Sequence, residues 1–246
     1  EHSEIFISVF YPNWLIIRKF YLNLHQICIK EKNIMKNLIF TIMICLTSIH
    51  ASAHTNVCDL WANMPDSIIP YFNSGIRNEM LDMYKSKNNT KSKNLLNGSC
   101  WIDSISDNLM NLHINESTQL QIATYQCADS AQIICMIKTY NISAPESEIT
   151  FYSLEWSKIS NRLETTETGN TNQIIRTFTQ HPNTMEEQKY NEIIKCIEPI
   201  MFTATINKNL EIEITIAGTF LTKQEHDDFE TIKKKKCFKW NGEIFK

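Results

Sequence analysis

Met201-Phe202-Thr203-Ala204-Thr205-Ile206-Asn207-Lys208-Asn209-Leu210-Glu211-Ile212-Glu213-Ile214-Thr215-Ile216 is the stretch that decides the fold. Phe202, Ala204 and Ile206 alternate with Thr203 and Thr205. Asn207-Lys208-Asn209 then turns the chain, and Leu210, Ile212, Ile214 and Ile216 answer against Glu211, Glu213 and Thr215. A period of two puts one set of side chains on each face of a strand, so the stretch predicts an antiparallel hairpin with one apolar face.

On its C-terminal side, Thr222 and Glu225 have capping-box spacing and predict a helix from there to about Lys235. Phe238, Trp240, the Asn241-Gly242 turn, Ile244 and Phe245 then predict a closing strand or tight hairpin. On its N-terminal side, Thr184 and Glu187 suggest a second capping box. Tyr190, Ile193, Ile194 and Ile197 share one helical face, and Pro199 stops the helix.

Further back the same period of two recurs. Met110, Leu112 and Ile114 alternate before a turn at Asn115-Glu116-Ser117, and Leu120 and Ile122 open a second run ending at Cys127. Ile133–Tyr140 and Ile149–Trp156 are the third and fourth strands, joined by a loop from Asn141 to Glu148. Helices are expected over 55–64 and from Gly75 to Tyr84, and Lys85–Asn97 reads as an exposed polar loop. Ser157–Pro182 is weakly patterned. Thr165, Thr166, Thr168, Gly169 and Asn170 suit a flexible connection, and Ile174–Phe178 suits one more strand. The fold expected is α+β: an antiparallel sheet, a meander plus the C-terminal hairpin, with helices packed on one face. Residues 54–160 hold the helical start and the meander, 161–182 a linker, and 183–246 a helix-hairpin-helix-strand half.

The N-terminal part predicts export. Met35-Lys36-Asn37, the apolar run Leu38–Leu46 and the small residues Ala51-Ser52-Ala53 have the order of a cleavable secretory signal. The apolar run is too short to span a bilayer, which takes about 20 residues. The working protein is therefore expected to begin near His54, with residues 1–34 an upstream segment outside any folded domain and no transmembrane span after the signal. The localisation that follows is periplasmic or secreted.

The 246-residue chain has a net charge of −3, so it has no electrostatic reason to seek nucleic acid. Lys233-Lys234-Lys235-Lys236 is the one basic run, and it reads as a solvated helix end. Six of the eight cysteines follow Ala53, and export permits disulfides. Cys127 and Cys135 flank a hairpin turn at Ala128-Asp129-Ser130-Ala131 and form the local candidate pair, against a reading as two half-buried thiols.

No motif for a cofactor, a metal or a catalytic triad is present. The glycines are too dispersed for a phosphate-binding loop, and neither GxSxG nor HExxH occurs. Glu225-His226-Asp227-Asp228 is the one polar constellation, and acids in a helix's first turn explain it without a metal. His113 falls on the polar face of a strand, and His181 lies in a loop before Pro182.

Two stretches carry a resemblance. They are Asp59-Leu60-Trp61-Ala62-Asn63-Met64-Pro65-Asp66-Ser67-Ile68-Ile69-Pro70-Tyr71 and Thr139–Trp156, with Pro145-Glu146-Ser147 at its turn. Together they resemble an exported family of Bacteroides-type bacteria known as domain of unknown function 3256, closely over 57–160 and loosely beyond. The resemblance implies a Gram-negative envelope or secreted location and no catalytic residues. The function expected is a non-catalytic binding module for an envelope protein or glycan. The alternatives are a hydrolase with carboxylates in loops 85–99 and 157–181, or a structural envelope component.

Overall fold

The computed structural model describes residues 18, 19, 55–87, 91–142, 144–164, 171–197 and 199–246. The signal-like segment from Met35 to Ala53, His54 and residues 165–170 of the expected connection lie outside them. Residues His54–Lys246 form a compact unit of their own, and the fold is α+β, as the alternation predicts.

Two short helices open the unit: α1 (Val57–Ala62), with Asn56 Oδ1 accepting from Cys58 N, and α2 (Ser74–Lys85), with Asn73 Oδ1 accepting from Ile76 N. Both are side-chain N-caps that satisfy amides free at a helix start. Six antiparallel strands follow in sequence order, a meander: β1 (Ser92–Lys93), β2 (Ser99–Ile105), β3 (Leu109–Asn115), β4 (Thr118–Gln126), β5 (Gln132–Asn141) and β6 (Pro145–Ser153). Then come α3 (Thr171–Thr177), α4 (Glu187–Cys196), the hairpin β7 (Ile200–Ile206) and β8 (Ile212–Gly218), α5 (Lys223–Ile232) and β9 (Lys236–Phe238). Strands β7, β8 and β9 make a second, three-stranded sheet.

The large sheet is covered on both faces, which explains why β5 reads Ile133-Ile134-Cys135-Met136-Ile137 without a polar break. Ile134 and Met136 join Leu120, Ile122, Met110 and Leu112 in a core under α1 and α2. Ile133, Cys135 and Ile137 join Phe151 and Tyr125 in a second core with Ile212, Ile214 and Ile216 of the small sheet and with α4 and α5.

Five local expectations change. Lys85–Asn97 is not an exposed loop throughout: Lys85 ends α2, Ser92–Lys93 form β1, and Ser92 and Asn94 are buried, because Asn94 hydrogen-bonds the backbone of β3. Ser99–Ile105 is a strand that the sequence conceals, because Trp101 takes the face where alternation calls for a polar residue. Ile174–Phe178 lies mainly in helix α3, because Ile175 and Phe178, three apart, both turn into the core. The Asn141–Glu148 loop shrinks, since Asn141 pairs with Pro145 and β6 runs from there. A proline is tolerated at a strand's first residue, on an edge strand, where its missing N–H breaks no ladder. The Thr184–Glu187 capping box does not form: α4 starts at Glu187 behind Glu186, without a side-chain cap. The Thr222–Glu225 box does form, with Glu225 N donating to Thr222 Oγ1 at 3.3 Å and Thr222 N to Glu225 Oε2 at 2.7 Å. The lysine run straddles the end of α5 and enters β9, and Lys233 and Lys235 meet Glu230 and Glu213.

Candidate functional site: a lysine-rimmed cleft at the edge of the meander

The first strand of the meander has only two residues, so it leaves part of β2 uncovered beside the C-terminal end of α2. One side chain pins the short strand in place. Asn94 is buried; its Nδ2 donates to Ile114 O at 2.8 Å, and its Oδ1 accepts from Leu96 N and Gly98 N, both at 2.9 Å. Gly98 is required here, because a Cβ at that position would lie 2.9 Å from Asn94 Nδ2. On the opposite wall Tyr84 Oη accepts from Ile105 N at 3.2 Å, tying α2 to the end of β2.

Between these walls lies a cleft of about 540 Å³, within the range of small-ligand sites. Met80, Ile102 and Cys100 are its buried floor, and Lys85, Lys87 and Lys91 stand on its exposed rim. Ser92 also lines it. That residue is 2% exposed, and its hydroxyl has no hydrogen-bond partner among the described residues. A buried hydroxyl left unpaired is costly.

Trp101 sits directly across the ladder from His113, and the two rings stack with centroids 4.1 Å apart and planes 13° off parallel. Asp103 fixes both: Oδ1 accepts from Trp101 Nε1 at 2.8 Å, and Oδ2 lies 3.2 Å from His113 Nε2. The Lys91 ammonium lies 3.5 Å from the centre of the Trp101 ring, a cation–π contact. The Cys100 thiol is held protonated: burial first, then Glu79, push its pKa up to about 11, against a lowering by Lys93. It is a wall of the cleft rather than a nucleophile.

Two further depressions adjoin the large sheet. A groove of about 300 Å³ shares Asp103 with the cleft and runs along Asn111, Gln119, Gln121, Thr139 and Asn141 to Thr203 and Thr205 of β7. A separate hollow of about 460 Å³ is bordered by Asn108, Gln126, Gln132, Asn209 and Trp240, and by Tyr125. The Tyr125 hydroxyl is buried without a partner among the described residues.

The residues singled out in sequence take other places. Cys135 stands opposite Ala123 inside the β4–β5 ladder, whereas Cys127 lies beyond its last pair, Gln126 with Gln132. The four residue steps from Ala123 to Cys127 amount to about 13 Å of strand, far past the reach of a disulfide. Both are free thiols, as are Cys58, Cys100, Cys196 and Cys237. Glu225 is spent on its helix cap, and Asp228 pairs with Lys189 at 3.1 Å. His181 rests edge-on against Tyr190.

For the hydrolase alternative, segment 85–99 contains no Asp or Glu; of the two glutamates in the second loop, Glu164 is exposed, with its backbone N–H donating to Phe245 O, and Glu167 lies outside the described residues. The carboxylates displaced from their ordinary pKa, Glu155, Glu211, Glu213 and Glu225, are all lowered, chiefly by hydrogen bonds to Ser153, Asn207 and Thr222. A general acid at neutral pH needs the opposite displacement. Sequence reasoning missed Ser92, Trp101 and Asp103. The alternation Ser99-Trp101-Asp103 against Cys100-Ile102 was the available signal.

A comparison with curated proteins finds no match. Among solved structures, a domain of an uncharacterized protein from Porphyromonas gingivalis W83 superposes with a TM-score of 0.58 at 16% identity, over 77% of this chain and 96% of that one. At that identity the likeness concerns the fold alone. The family model described as Protein of unknown function (DUF3256) matches residues 48–245, and the chain belongs to that family.

Proposed function

We propose that this DUF3256 protein is an exported, non-catalytic binding module, periplasmic or secreted, whose ligand from the cell envelope sits in the cleft between α2 and β2. The observation that carries the reading is the cleft itself: a lined recess with an unsatisfied buried hydroxyl at Ser92 and a fixed aromatic side chain at Trp101. Export is supported by the order of basic, apolar and small residues from Met35 to Ala53. Positioned polar groups over an apolar floor suit recognition, and the protonated Cys100 and the engaged Asp103 leave the recess without a poised nucleophile or acid.

The test is crosslinked co-purification of tagged 54–246 from the envelope of a related bacterium, run beside Trp101→Ala. A glycan or protein held by the parent and lost from the variant is the expected result. Identical recoveries from both, or turnover of a recovered molecule by the parent, would overturn the reading.

A further inference from the structure

We propose that the cleft takes a carboxylate-bearing sugar, its carboxylate among Lys85, Lys87 and Lys91 and its neighbouring ring in the groove beyond Asp103. The proposal rests on the binding-module reading of the same cleft and names its ligand.

Charge is the first argument. The chain is acidic overall, and Lys189, Lys233, Lys235 and Lys239 each lie within salt-bridge distance of a carboxylate. Lys85, Lys87 and Lys91, like Lys158 and Lys208, have no carboxylate partner among the described residues, but these three alone line one recess together. The one acid there, Asp103, has one oxygen on Trp101 and the other on His113. Lys85 also offsets the carbonyl dipole at the end of α2, but Lys87 and Lys91 lie beyond the helix and have no such duty. Lys87 moreover holds a left-handed backbone, φ 53°, which is unfavourable for any residue with a Cβ. Three ammonium groups around one recess favour an anion, and a charge-assisted hydrogen bond is roughly twice as strong as a neutral one.

The body of the ligand follows from the walls. Met80 and Ile102 offer a small apolar floor of the kind that accepts the C–H face of one ring, and the Ser92 hydroxyl awaits a partner. The adjoining groove is walled by amides and hydroxyls: Asn111, Gln119, Thr139 and Thr203. Asn111 already bonds Ser104 and Gln121, and Thr139 bonds Ser147, but amides and hydroxyls keep further hydrogen-bonding capacity, which sugar hydroxyls match and an acyl chain does not.

The experiment is an NMR titration of isotope-labelled 54–246 at low ionic strength with a glucuronate-terminated disaccharide and with its methyl ester. The acid is expected to shift the Trp101 indole N–H and the amides of Ser92 and Lys85–Lys87, and the ester to bind about tenfold or more weakly. Lys85→Gln and Lys87→Gly are each expected to weaken the acid and leave the ester unchanged. Equal binding of acid and ester at these signals would overturn the carboxylate assignment and leave the binding-module reading standing. No shift at these signals with either sugar would overturn the sugar proposal, and the binding-module reading would then stand or fall on the co-purification with Trp101→Ala.

Discussion

The side-chain amide of Gln121 clasps the backbone of Ile206 like a strand partner: Oε1 accepts from Ile206 N at 2.7 Å, and Nε2 donates to Ile206 O at 3.1 Å. Gln121 projects from β4 of the large sheet, and Ile206 ends the outer strand β7 of the small one. Ser147 of β6 repeats the device two residues away, its Oγ accepting from Ala204 N at 2.9 Å. Exposed strand edges are templates for pairing with other chains. Here side chains of one sheet satisfy the edge of the other and set how the two meet.

Gln121 Nε2 also donates to Asn111 Oδ1 at 2.6 Å, so Gln121→Ala is expected to destabilise residues 54–246 by about 1.5–4.5 kcal/mol, the range for three lost hydrogen bonds at a partly buried site. Denaturant unfolding measures it. A loss below about 0.5 kcal/mol would mean that water replaces the amide without penalty.

Lys87→Gly separates stability from binding. Glycine adopts the left-handed backbone without a Cβ clash, so the variant is expected to gain roughly 0.5–1 kcal/mol, a rise of a few degrees in Tm. The same change removes one rim cation, so affinity for the acidic sugar should fall while Tm rises.

The thiols of Cys127 and Cys135 are expected to stay separate. Protein purified without reductant, denatured and alkylated, should carry a label on both residues in peptide mass spectra. A peptide two hydrogens lighter, with both cysteines unlabelled, would contradict the register of β4 on β5.

Tyr125→Phe removes a buried hydroxyl that has no partner among the described residues and keeps the ring against Phe245, 4.9 Å between centroids. Stability is expected to hold or to rise by up to about 1 kcal/mol, since an unpaired buried hydroxyl contributes only its desolvation cost. A clear loss would show that the hydroxyl is bonded in solution.

Acid should weaken the last helix. The Glu225 carboxylate is held below its ordinary range by the backbone and side chain of Thr222. Its folded-state pKa is thus lower than its unfolded one. The stability it contributes is complete above the unfolded value and is lost as pH falls through the folded one. Glu225→Gln should flatten this part of the stability profile, costing stability at pH 7, where the parent's carboxylate contributes fully, and little below the folded value, where the parent is itself protonated, as unfolding curves across pH would record.

Much of this molecule was written locally. The alternation from Phe202 to Ile216, the Thr222–Glu225 cap and the unbroken apolar run of β5 each specify an element by themselves, because the side-chain period and the nearest backbone amides lie within a few residues. Other features depended on neighbours far along the chain. Trp101 disguised β2 until His113 appeared beside it, and Ile174–Phe178 became mainly helix because Ile175 and Phe178 found a core. The cleft is the furthest case: Lys87, Ser92 and Trp101 come from a helix end, a two-residue strand and its partner. They meet only because Asn94 and Tyr84 bring those pieces together, and no spacing in the sequence encodes a distance across folded space.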